Sequence, residues 1–116
     1  MQRDSTTAGN MEMATKPIEK VEIRTRHLPP YHVILENDDY HSMEFVVGVL
    51  QKALGCTEES AYQFMMLAHT SGQAVVWTGN KEVAELKMEQ MQSFHEIAQS
   101  GKKLGPLAVR IEPAPG

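Results

Sequence analysis

One cysteine, Cys56, is all that the 116-residue chain holds. A lone cysteine cannot close an intramolecular disulfide, which excludes a disulfide-built scaffold. No apolar run approaches the ~20 residues needed to cross a bilayer. Residues 1–13 lack the apolar core of a secretory leader, so none is expected. Aromatic residues are scarce at 6%, and positive charge is not in excess: 11 Lys and Arg against 15 Asp and Glu leave a formal −4. A nucleic-acid binder would want a basic face, so no nucleic-acid partner is expected. Glycine-rich phosphate loops, cysteine pairs and nucleophile elbows are all missing. What remains is one small soluble domain, expected to be cytoplasmic and monomeric, without a cofactor, a metal or catalytic residues.

What is present is unevenly distributed. Residues 1–30 hold nine apolar residues, no aromatic, five basic and four acidic side chains. Residues 31–116 hold all seven aromatics and a net charge of −5, six basic against eleven acidic. The first segment cannot bury enough apolar surface to offset the entropy of ordering it. It reads as a flexible, disordered arm (1–30) ending at Pro29-Pro30, which stiffen the entry to a folded domain (31–116).

Within that domain the pattern alternates. Residues 31–36 (YHVILE) read as a strand with Val33 and Leu35 on one face and His32, Ile34 and Glu36 on the other. Asn37-Asp38-Asp39 breaks it. Ser42 caps a helix over 43–54 with apolar positions Met43, Val46, Val47, Leu50 and Leu54, and Gly55 closes it. Thr57 caps a second helix over 58–71, ended by Gly72. Residues 73–77 (QAVVW) form a second strand. Asn80 caps a third helix over 81–100, stopped by Gly101. Residues 107–112 (LAVRIE) form the last strand. The order β-α-α-β-α-β implies an α+β, two-layer sandwich: a three-stranded antiparallel sheet covered by three helices.

Few polar residues have chemical promise. Asp38 and Asp39 precede a helix, where carboxylates complement the dipole and cap free N–H groups. His69 in the last turn of a helix also suits the dipole. Each has an ordinary structural explanation when taken alone. His32 and His95 read as solvent-facing, Cys56, Trp77, Phe94 and the methionines as packing residues, and Glu82, Glu85 and Lys87 as a solvated helix face.

Taken together, however, HVILENDDYHSMEFVVGVLQKALG (32–55), AYQFMMLAHTSGQAVV (61–76), KEVAELKMEQ (81–90) and GPLAVRIE (105–112) closely resemble the ClpS family. These are non-catalytic adaptors of the Clp ATP-dependent protease in the N-degron (N-end rule) pathway. The resemblance covers about residues 31–112. It implies an α/β sandwich that captures proteins by a destabilising N-terminal residue (Phe, Tyr, Trp or Leu). The captured protein then passes to the N-terminal domain of a ClpA- or ClpC-type AAA+ unfoldase. The amine-binding group falls on Asn37, Asp39 and His69, with Asp38 beside them. The side-chain pocket falls on Leu35, Met43, Val46, Met65 and Leu107, with Ala68 and His41 at its margin. Met43 matches a gate against β-branched side chains, Glu82 and Lys87 match the unfoldase-docking surface, and residues 1–30 match an arm that helps delivery.

The chemistry of these residues suits that role. An α-ammonium carries three donors and calls for convergent acceptors: an amide oxygen, a carboxylate and an unprotonated imidazole nitrogen. Hydrogen bonds to a charged group contribute roughly 1.5–3 kcal/mol each, and burying an aromatic or leucine side chain adds a similar amount. Net of ordering costs, affinity should be on the order of micromolar. An imidazolium at position 69 would repel the ammonium, so binding is expected to weaken toward pH 5.

Four positions depart from the family pattern. His41 replaces a usual Thr, and Ser42 a usual Pro, which should leave the preceding loop less rigid. Ala68 replaces a larger residue, usually Val, which should widen the pocket in favour of Phe, Tyr and Trp over Leu. Glu36 replaces an apolar residue and should add negative potential at the rim.

Two other classes fit parts of the sequence. Asp38, Asp39, His41 and His69 could hold a divalent ion in a metal-dependent enzyme, although no local HxxxH pair supports it. A plain interaction module of ribosomal-stalk type would share the small α/β shape but show no preference for a free N-terminus.

Overall fold

A computed structural model describes residues 28–115 of the chain. The arm read over residues 1–30 therefore lies almost wholly outside the described residues.

Strand β1 (Tyr31–Glu36) is followed by helices α1 (Met43–Leu54) and α2 (Glu58–Ser71), strand β2 (Gln73–Gly79), helix α3 (Lys81–Gln92) and strand β3 (Val109–Pro113). The sheet is antiparallel in the order β2-β1-β3, with β1 central. This is the expected α+β sandwich.

Local chemistry sets the helix boundaries. Ser42 Oγ accepts the Phe45 N–H at 3.1 Å, Thr57 Oγ1 that of Ser60 at 3.1 Å, and Asn80 Oδ1 that of Val83 at 2.9 Å. Each satisfies one of the free donors at a helix start. Gly55 and Gly72 end α1 and α2 in the left-handed region, at φ 70° and 93°. That conformation carries no Cβ penalty only for glycine.

The core lies between the helices and one face of the sheet. Val33 and Leu35 of β1, Ala74 and Val76 of β2 and Val109 of β3 meet Val46, Val49 and Leu50 of α1, Ala61, Met65 and Ala68 of α2, and Ala84 and Met91 of α3. A register shift after Val33 lets both Val76 and Trp77 reach this core, Val76 buried and Trp77 partly so. The opposite sheet face carries Ile34, paired with Val75 and Arg110 on its two sides and completely buried.

Three features differ from the sequence reading. The buried stripe of α1 is Val46, Val49, Leu50 and Ala53, leaving Met43 48% exposed at the helix start. Helix α3 ends at Gln92, not at Ser100. Beyond it Ala98 and Lys102 form a turn, with the Ala98 N–H donating to the Lys102 carbonyl at 2.8 Å and an isolated bridge joining Ile97 to Lys103. The helical spacing of Phe94, Ile97 and Ala98 suggested a continuing helix, but Ile97 is 61% exposed and has no core to reach. Strand β2 extends to Gly79, and β3 starts at Val109.

Candidate functional site

Strand β1 runs out of partners at Glu36, and there the chain turns over a cavity of about 210 Å³. Pockets that engulf drug-sized ligands run to ~300–1,000 Å³, so this one suits a single side chain. It is lined by Leu35 and Glu36 of β1, the following Asn37, Asp38, Asp39 and His41, Met43 and Val46 of α1, and Met65, Ala68 and His69 of α2. Helical spacing places the contributors: Met43 and Val46 are three apart, and Met65, Ala68 and His69 share one face.

Burial divides the lining in two. Leu35, Val46, Met65 and Ala68 are each no more than 6% exposed and form an apolar floor. Asn37, Asp39 and His69 are exposed and form a polar rim. Their side chains have no hydrogen-bond partner among the described residues, which leaves an amide oxygen, a carboxylate and an imidazole open to a ligand. Asn37 is held from below: its backbone N–H donates to the Gly72 carbonyl at 3.0 Å. The glycine that ends α2 thus also fixes the acceptor loop beside His69.

Asp38 is placed differently. Its Oδ1 accepts the Tyr40 N–H at 2.7 Å, and its Oδ2 lies 2.7 Å from His41 Nδ1. The carboxylate is 9% exposed and faces inward, whereas its neighbours face the rim. His41 Nε2 reaches the Gly105 carbonyl at 2.8 Å, and the ring stacks on Phe45 at 5.2 Å.

Glu36 lines the cavity as expected, but its charge is matched. Arg110 Nε donates to its Oε2 at 2.8 Å, and the same guanidinium also binds Glu112 and Gln73. The hydrogen bonds to Glu112 and then Glu36 push the guanidinium pKa up, so it stays a cation throughout. Negative potential from Glu36 is offset accordingly. Leu107 does not line the cavity; it is 1% exposed within the core. Ser42 lacks the ring of a proline but has an N–H, which donates to Glu96 Oε1 at 3.0 Å. The loop expected to be slack is therefore tied.

Arg110, Gly105 and Glu96 are not among the residues that the sequence marks for the site, and Gly72 is marked there only as a helix end. Their contacts span dozens of residues, and no local pattern marks those contacts. Away from the cavity, Glu82 is exposed in the first turn of α3. Lys87 is half-buried, its Nζ 5.5 Å from the Trp77 ring centre and 3.5 Å from the Ala53 carbonyl. Among the described residues, no three His, Cys, Asp or Glu side chains gather as a metal-ligand set. No described helix is long and apolar enough to cross a membrane.

Comparison with known proteins gives a consistent result. The family profile for the ATP-dependent Clp protease adaptor protein ClpS matches residues 26–109. The ClpS adapter of Roseobacter denitrificans is 41% identical over 81 residues, 70% of this chain; the matched part is 66% of that relative's length. ClpS 2 of Mesorhizobium japonicum is 39% identical over 103 residues, covering 88% of this chain and 96% of that protein. The solved structure of Agrobacterium tumefaciens ClpS2 bound to L-phenylalaninamide superposes with a TM-score of 0.62 at 34% identity, over 74% of this chain and 98% of that one.

Proposed function

The chain belongs to the ClpS family of ATP-dependent Clp protease adaptors, and from that premise we propose that it captures proteins by their free N-terminal residue. One observation carries this reading: an apolar-floored cavity sized for one side chain is rimmed by the open acceptors Asn37, Asp39 and His69. A free α-amine and its side chain leave the same carbon, so one rim and one floor can take both. The related Agrobacterium protein holds L-phenylalaninamide, a ligand with both groups.

In this mechanism the side chain enters between Leu35, Val46, Met65 and Ala68 and loses its water. The ammonium donates to the rim. Acetylating the amine removes its charge and leaves the rim acceptors without a cation. In this reading Met43, half-exposed and lining the cavity, gates it against β-branched side chains.

Delivery is the second half of the proposal. The N-terminal domain of a ClpA- or ClpC-type AAA+ unfoldase docks on α3 through Glu82 and Lys87, and residues 1–30 assist the transfer. Glu82 is open to such a partner, whereas the Lys87 ammonium already lies over the Trp77 ring. Peptide chemistry is done by the protease, and the adaptor supplies selection.

The test is fluorescence anisotropy with a Phe-initiated peptide, its Nα-acetylated twin and an Ala-initiated control, with and without EDTA. Saturable binding of the first alone, insensitive to EDTA, is expected. Equal binding of all three would reject N-terminal capture.

A further inference from the structure

We infer that His41 is the positioning residue of the amine-acceptor loop. It holds Asp38 inward so that Asn37 and Asp39, on either side, face His69. The inference rests on the capture reading above and extends it to a residue whose type departs from the family pattern.

The loop has few other supports. Its ends are anchored through the backbone: the Glu36 N–H to the Ala108 carbonyl at 2.9 Å, and the Asn37 N–H to the Gly72 carbonyl at 3.0 Å. Ser42 is anchored by Glu96. Between them, Asp38, Asp39, Tyr40 and His41 make no backbone–backbone hydrogen bond among the described residues. The interior of the loop rests on one chain of contacts. The Tyr40 N–H donates to Asp38 Oδ1, Asp38 Oδ2 meets His41 Nδ1, and His41 Nε2 meets the Gly105 carbonyl.

The anchor is rigid. The His41 side chain is 3% exposed, and its ring is clamped on Phe45 at an interplanar angle of 17°. Gly105 lies 64 residues away, in the segment that leads into β3. His41 therefore cross-links the acceptor loop to the segment entering β3, the strand beside β1. Within this turn Asp38 is tied down by its bonds to Tyr40 and His41, while Asn37 and Asp39 stay exposed at the rim. The imidazole acts on the ligand through these neighbours, by fixing where the acceptors stand.

Three substitutions test this. Asparagine places an amide nitrogen near the Nδ1 position and keeps the Asp38 end. Glutamine places one near Nε2 and keeps the Gly105 end. Leucine keeps neither. Two readouts apply to the full chain: hydrogen exchange at the Tyr40 amide, which needs no ligand, and the affinity ratio of a Phe-initiated peptide to its acetylated twin. His41→Leu should speed Tyr40 exchange and lower the affinity ratio by roughly tenfold each, with His41→Asn and His41→Gln intermediate. Amides of α1 and α2 should exchange as in the wild type, which separates positioning from loss of fold. Unchanged Tyr40 exchange in all three variants overturns the inference. So does faster exchange with an unchanged ratio. Should the wild type itself show no preference for the free amine, the capture reading falls, and the positioning role in amine binding falls with it. Tyr40 exchange then still reports whether His41 orders the loop.

Discussion

The carboxylate of Glu36 sits 2.8 Å from the guanidinium of Arg110, across two strands, at the point where β1 turns into the cavity. A negative side chain at the rim of a site for a cation is thereby already paired. Arg110 belongs to the sheet face away from the helices, yet it reaches the electrostatics of the site through Glu36.

Arg110→Gln should unmask Glu36. The Phe-initiated peptide should then bind about twofold tighter at low ionic strength, and the gain should vanish near 1 M salt, where the Debye length is ~3 Å. Anisotropy titrations at the two ionic strengths check this. A gain that survives high salt would point to a change in loop shape instead.

Asn37→Ala, Asp39→Ala and His69→Ala should each lower affinity for the Phe-initiated peptide by about tenfold or more and leave the acetylated peptide unchanged. These side chains are exposed and make no hydrogen bond among the described residues. Thermal stability should therefore move by no more than about 0.5 kcal/mol. Parallel melting curves distinguish a lost contact from a lost fold.

Ala68 lies 3% exposed on the cavity floor. Ala68→Val adds two methyl groups there and should shift preference from Trp and Tyr toward Leu. In the wild type, Phe, Tyr and Trp peptides should bind more tightly than Leu. A titration series with Leu tighter than all three aromatics would contradict this.

A Cβ at Gly79 would overlap the Trp77 ring, which packs partly buried against the core. Gly79→Ala must therefore move the ring, at a cost of about 1–3 kcal/mol for overpacking. Since Trp77 is the only tryptophan, its emission reports the change directly. A lower Tm with red-shifted emission is expected.

The legible parts of the fold were those written in local chemistry. Ser42, Thr57 and Asn80 are side chains that cap a helix on their own backbone. Gly55 and Gly72 supply φ values that few residues tolerate. Each acts within four residues, so each could be read along the chain. The end of α3 could not. Phe94, Ile97 and Ala98 keep helical spacing, and no glycine follows until Gly101. Ser93 turns back locally, its N–H and hydroxyl both donating to the Gln90 carbonyl; beyond it the chain is held by later partners, with His95 Nδ1 3.0 Å from the Leu104 carbonyl and Glu96 accepting the Ser42 N–H.

The candidate site divides along the same line. Residue types and their order determined which acceptors and apolar groups are available: Asn37, Asp39 and His69 above Leu35, Val46, Met65 and Ala68. The single cysteine already excluded an intramolecular disulfide. Only the tertiary structure decided which of these groups remain free. It turned Asp38 inward onto His41, paired Glu36 with Arg110, and drew Leu107 into the core. The reason is physical. Residue type sets what a side chain can donate or accept, but a partner 64 or 74 residues away becomes a neighbour only when the sheet closes and brings β3 against β1.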